Sequence, residues 1–94
     1  MREDVSQRLA SSGIQLVVET AGHYLFTRDN CIALVEREVG TIGSTGMMTE
    51  QGLSYLIWRD GHAFLKSKSA EIPADSGQIA AVRQFSKDLA AALG

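Results

Sequence analysis

The 94-residue chain has little of several features that mark particular classes of protein. It contains one cysteine, Cys31, which excludes an internal disulfide and a multi-cysteine metal site and is typical of a reducing compartment. No apolar run approaches the ~18–20 residues that span a bilayer, and residues 1–10 lack the apolar core of a secretory signal. These features predict a soluble, cytoplasmic protein.

Charge of one sign is also scarce. The chain has 9 basic and 11 acidic residues, a net charge of −2. A nucleic-acid-binding domain normally carries a strong excess of positive charge, so we expect neither a nucleic-acid nor a membrane partner. With 45% hydrophobic and 21% charged residues, the composition is that of a folded protein. The length predicts a single domain over residues 1–94.

Residues that carry chemistry are few and scattered. His23 and His62 fall in different predicted hairpins, whereas a zinc site needs three or four ligands, so we expect no metal and no cofactor. In the predicted register Cys31 and His23 lie on opposite sheet faces, which disfavours a thiol–imidazole pair. The sequence assigns no catalytic residue, and an enzymatic activity is the less favoured interpretation.

Hydrophobic spacing predicts a helix at each end of the chain. Val5 and Leu9 lie four residues apart before Gly13, which indicates a helix over residues 2–12. Near the other end, Asp75 and Gln78 form the pattern of a capping box. The apolar stripe that follows predicts a longer second helix; its members are Ile79, Val82, Phe85, Leu89 and Leu93.

Between the helices, five runs alternate as β-strands do, at residues 14–20, 23–28, 31–39, 53–59 and 62–68. Asp29-Asn30 and Asp60-Gly61 predict tight hairpin turns, the second placing Arg59 opposite His62. Short connections favour an antiparallel meander. The predicted fold is α+β: a five-stranded antiparallel meander sheet with an N-terminal and a C-terminal helix on one face, in a two-layer sandwich.

Both faces of this predicted sheet are rich in apolar residues, whereas two helices cover only one. An uncovered face of that kind exceeds the apolar patch usual on a monomer. A two-fold homodimer is the commonest solution for a small domain; a different protein and an apolar ligand are the other two. The alternative is that the sheet curls, or the helices straddle it, so that both faces are buried. The interface we predict comprises Val17, Tyr24, Phe26, Ala33 and Val35.

The stretch at residues 39–52 is glycine-rich and lacks clear periodicity. We interpret it as a loop that connects two strands, with one helical turn at residues 43–52 as an alternative. Backbone amides beside Ser44 and Thr45 would suit an anion nest, although the spacing matches neither a P-loop nor a dinucleotide fingerprint. The predicted ligand or partner residues of this loop are Gly43, Ser44, Thr45, Gly46, Met47 and Met48.

Together these features predict a small protein-interaction or adaptor-type domain that acts as a homodimer through one apolar sheet face. The alternative is a small-molecule or anion-binding domain, or an enzyme, with its pocket at the loop from Gly40 to Gly52. That pocket would use Ser44, Thr45 and Trp58.

Overall fold

A computed structural model describes residues 1–38 and 40–94. The chain begins with helix α1 (Glu3–Ser11) and ends with helix α2 (Ser76–Leu93). In the described residues between them, seven strands pair in sequence order as one antiparallel meander. They are β1 (Gln15–Glu19), β2 (His23–Arg28), β3 (Cys31–Glu36), β4 (Ile42–Thr49), β5 (Gly52–Arg59), β6 (His62–Lys66) and β7 (Glu71–Pro73).

The α+β class and the antiparallel sheet are as predicted, but the prediction of five strands is wrong. The two additional strands are β4, within the predicted glycine-rich loop, and β7, which was assigned to no strand. Strand β4 is hydrogen-bonded to β3 on one side and to β5 on the other. Pairing on both sides stabilises a strand despite the weak β-propensity of glycine. Val39, where the third predicted strand ends and the glycine-rich stretch begins, lies outside the described residues.

Local sequence signals determine the two predicted hairpin turns, the end of α1 and the start of α2. Asp29, Asn30 and Asp60 all have positive φ, and their turns produce the predicted Arg28–Cys31 and Arg59–His62 pairs. In α2, the Asp75 carboxylate accepts from the Gln78 backbone amide at 2.7 Å, which completes the capping box. Gly13, just after α1, has φ of 71°, the left-handed conformation of a helix stop.

The hydrophobic core lies between the two helices and one face of the sheet, here called the inner face. Phe26, Ala33 and Val35 of the sheet have no exposed surface, and Phe85 and Leu89 of α2 have none either. Helix α1 adds Val5 and Leu9 to the same cluster and is tied to α2 by Arg8, whose Nε donates to the Ala92 carbonyl at 2.8 Å. Both helices therefore bury their apolar stripes on the same side of the sheet.

One partly buried ion pair fastens the sheet to α2. Arg28 Nη1 of β2 lies 2.9 Å from Asp88 Oδ2, and the guanidinium carbon of Arg28 is 5.6 Å from the centre of the Phe85 ring. The hydrogen bonds that Arg28, and then Gln84, donate to the Asp88 carboxylate lower its pKa. The contribution of the pair to stability is therefore present above the ordinary carboxylate pKa and is lost as the pH falls.

Replacing Phe26 with alanine is expected to lower the free energy of unfolding by about 3–5 kcal/mol, because it leaves a cavity under α2. Phe64→Ala is the matched control, since Phe64 is only partly buried. Urea unfolding followed by circular dichroism measures both losses. Equal losses in the two variants would contradict the assignment of the inner face to the core.

The Asp88→Asn variant tests the ion pair. Wild-type protein should be the more stable of the two at pH 6, and its advantage should shrink toward pH 3 as Asp88 is protonated. Thermal unfolding over that pH range gives the comparison, with Glu50→Gln in the exposed β4–β5 turn as control. A wild-type advantage that does not change with pH would exclude the proposed contribution of the pair.

Candidate functional site

The second face of the sheet, here called the outer face, carries no helix on the described residues. Cross-strand pairing assigns its members: Val18 pairs with Leu25, Leu25 with Leu34, and Ile57 with Phe64. Val18 and Met48 are each 48% exposed, and the other apolar side chains are mostly half-buried. The apolar residues of the outer face are Val18, Leu25, Ile32, Leu34, Met48, Leu53, Tyr55, Ile57 and Phe64.

The predicted interface residues lie mainly on the opposite, inner face. Phe26, Ala33 and Val35 are fully buried beneath α2, and Tyr24 packs against the same cluster. These side chains cannot reach a partner without displacing the helix, so their assignment as an interface is corrected here. Of the predicted set, Val17 alone is exposed, at 52%. The two-residue period sorts the side chains of β2 and β3 onto two faces, but the predicted interface was placed on the face that the helices cover.

Strand β1 is an open edge of the sheet. All five of its residues are exposed, and Leu16, Val17 and Val18 form a continuous aliphatic run. The register with β2 shifts at Val17, which marks a β-bulge or similar irregularity. The other edge, β7, has three residues and ends in proline, a usual protection of sheet edges. Strand β1 has neither proline nor lysine, although its irregularity also limits edge pairing.

The predicted loop residues form part of strand β4. Ser44, Thr45, Gly46, Met47 and Met48 lie in extended backbone, whereas an anion nest needs successive amides that converge in a turn-like conformation. The prediction of a loop, or of a helical turn, is therefore wrong for residues 42–49. Met47 packs against the core and Met48 projects from the outer face, so the two methionines do not act together.

Strands β4 and β5 separate part-way along their length, a feature called here the fork. They pair only between residues 46–49 and 52–55; beyond these, β4 remains paired with β3, and β5 with β6. Gly46 marks the last pair before the fork. A Cβ atom at this position would overlap the backbone of Ser54 and Tyr55, so the glycine permits a close approach that no other residue allows.

Beside the fork, the outer face contains an open cavity of about 640 Å³, here called the trough. Leu53, Tyr55 and Ile57 of β5 provide apolar lining, and Lys66 and Lys68 provide the charge. Tyr55 pairs with Lys66 across β5 and β6, in the register that the predicted Arg59–His62 pair implies. The remaining lining residues are Ser44, Gln51, Gly52 and Ser67. Ser44 of the predicted site therefore lies at a cavity, as a wall residue of the trough.

The other residues considered for chemistry are dispersed. Cys31 is 3% exposed, and burial raises the pKa of its thiol, which favours the unreactive protonated form. His23 and His62 are exposed on separate hairpins. Over residues 1–38 and 40–94, no three of the His, Cys, Asp and Glu side chains form a cluster that suits a metal ion. Trp58 is absent from the trough; Arg83 of α2 lies over its ring, 5.2 Å from the centroid.

Comparisons with protein-family models, with curated proteins and with solved structures each gave no match. In the described part of the chain, neither helix has the length and apolar character needed to cross a membrane. The outer face, the β1 edge and the trough are therefore the observations on which a functional proposal rests.

The Gly46→Ala variant is expected to be destabilised by about 1–3 kcal/mol, because the added methyl group forces β4 away from β5. Gly22→Ala is the control: no atom lies within 4 Å of a Cβ built at Gly22. Chemical unfolding measures both. If the two variants lose the same stability, the close approach at the fork is not required.

Proposed function

We propose that this protein is a cytoplasmic, non-catalytic interaction domain that works as a homodimer through the outer face. The observation that carries the proposal is an apolar sheet face left without a helix. The contact is assigned to the part of that face formed by β1, β2 and β3, here called the aliphatic patch. Its residues are Val18, Leu25 and Leu34, with the exposed Val17 beside them at the irregular point of the β1 edge.

The aliphatic patch suits a two-fold contact because it contains no charged side chain. A two-fold interface brings the same patch of both subunits together, so a central charge would meet its own copy. The nearest carboxylate in β1, Glu19, already has a partner in Arg37, with Oε1 and Nη2 3.4 Å apart. Contact between two copies at the side chains of the aliphatic patch therefore removes apolar surface from water.

The exposed edge of β1 extends the same surface. Its free backbone groups lie beside Val17 and Val18, so a second copy seated on the patch also approaches unpaired hydrogen-bonding groups. The irregular register at Val17 limits flat strand-to-strand pairing, and the proposed contact consequently relies on side chains of the face. A different protein with an apolar strand or helix is the other occupant that this surface admits, as expected for an adaptor.

Light scattering across a tenfold dilution tests the homodimer. We expect the mass of two chains for the wild type and of one chain for Val18→Asp, because the new carboxylate would be buried at the contact. The matched control is Ile72→Asp: Ile72 is exposed to a similar extent, 42% against 48%, but lies in β7. Both variants should keep the circular dichroism spectrum of the wild type.

A wild-type monomer at every concentration would refute the homodimer. If the wild type is a dimer and Val18→Asp remains one, the dimer exists but the aliphatic patch is not its interface. If the Ile72→Asp dimer dissociates as readily as the Val18→Asp dimer, dissociation results from the added charge itself and does not locate the interface.

The alternative of a small-molecule site receives support from the trough, which the predicted Gly40–Gly52 stretch lines in part through Ser44, Gln51 and Gly52. Strand β4 contributes only Ser44 to the lining, and residues 51–57 and 66–68 contribute the rest. The trough and the aliphatic patch share no residue.

A further inference from the structure

The trough combines an apolar lining with positive charge, which distinguishes it from the rest of the outer face. Leu53, Tyr55 and Ile57 lie at alternate positions of β5 and therefore project to one side. Its volume, about 640 Å³, lies within the ~300–1,000 Å³ range of small-molecule pockets. The lining therefore has the size and the apolar surface to accept an alkyl chain or a ring system.

The lysines of the trough have no carboxylate partner among the described residues. Neither Lys66 nor Lys68 takes part in a salt bridge. Glu71, which pairs with Lys66 across β6 and β7, is instead bound by Arg59, whose Nη1 is 2.6 Å from the Glu71 carboxylate. Among the described residues, the two lysines beside this apolar surface thus form no ion pair, in a chain whose net charge is −2.

Ser67 fixes the position of the segment that carries Lys68. Its hydroxyl oxygen accepts from the backbone amides of Ser69 and Ala70, at 3.4 and 3.1 Å. Its backbone amide donates to the Ala70 carbonyl at 2.9 Å. These bonds close a turn immediately after β6, and Lys66 and Lys68, on either side of Ser67, both line the trough.

From this arrangement we infer that the trough is a binding site for an amphipathic carboxylate, a free monoanion with an alkyl or ring body. The carboxylate lies at Lys66 and Lys68, where ion pairing beside an apolar wall is less weakened by water than on open surface. The apolar body lies along Leu53, Tyr55 and Ile57. A neutral ligand would leave the lysines without a partner, and a cation would be repelled by them.

Titration calorimetry with decanoate, below the concentration at which it forms micelles, tests the site. We expect saturable binding of one decanoate per chain and weaker binding of octanoate, by up to about fourfold for each methylene lost. Decylammonium, with the same tail and the opposite charge, should bind at least fivefold more weakly than decanoate. Equal affinity for decanoate and decylammonium, or no saturable binding of decanoate, would overturn the inference.

A pair of matched variants locates the binding site. Lys68→Gln should weaken decanoate binding about threefold or more, whereas Lys87→Gln, on the exposed surface of α2, should leave it unchanged. Both changes remove one positive charge, so the net charge of the protein does not explain a difference between them. If both variants bind as the wild type does, decanoate binds elsewhere and the assignment to the trough is wrong.

Two further measurements distinguish a site for a free ligand from a lipid-binding surface and from the proposed dimer interface. After sedimentation with phosphatidylglycerol vesicles, the protein should remain in the supernatant. If the wild type sediments with the vesicles and Lys68→Gln does not, the lysines bind a lipid surface, and the assignment to a free ligand is overturned. Decanoate titration of Val18→Asp should match the wild type, because the trough lies apart from the aliphatic patch. Loss of binding in that variant would overturn the independence of the trough from the dimer.

Discussion

The packing of α2 against the inner face of the sheet is the contact on which the rest of the structure depends. Phe85 and Leu89 are fully buried against side chains of β2 and β3, and α1 joins the same cluster by packing on α2. A chain of this size buries one core of limited extent, and both helices are used in forming it. No helix remains for the other side of the sheet in the described residues, so the outer face keeps its apolar side chains at the surface.

Two different surfaces result on that one face. Toward β1 it presents the aliphatic side chains of Val18, Leu25 and Leu34 and is continuous with an open strand edge. Toward β5 and β6 it is concave, because β4 and β5 diverge beyond Gly46 and leave a cavity beside the fork. Two lysines, Lys66 and Lys68, line this cavity. The first arrangement favours a flat, self-complementary protein contact, and the second favours a small ligand with a charged head. The proposed dimer and the proposed ligand site therefore follow from the same uncovered face without competing for residues.

Features governed by neighbouring residues were predictable from the sequence. The Asp60-Gly61 turn set the register of β5 and β6, and Asp75 with Gln78 set the start of α2. Strand β4 was missed because its glycines become a strand only through hydrogen bonds to β3 and β5. The interface was placed on the wrong face because Leu25 and Leu34 on one side resemble Phe26 and Val35 on the other. When both faces are apolar, composition does not indicate which one the helices cover. That is determined by the path of the chain into α1 and α2. The trough escaped prediction because it depends on the fork.

The pairing of every strand with its neighbour in sequence also bears on how the chain folds. Each hairpin of the meander closes over a short loop, and short loops close at low entropic cost. Proteins dominated by such local contacts fold faster than those that must first join distant segments. The exceptions are the contacts of α2, which packs on the sheet through Phe85 and Leu89 and meets α1 where Arg8 bonds Ala92, 84 residues away in sequence. We therefore expect the sheet to assemble hairpin by hairpin, with the docking of the two terminal helices as the late step that excludes water from Phe26 and completes the native state.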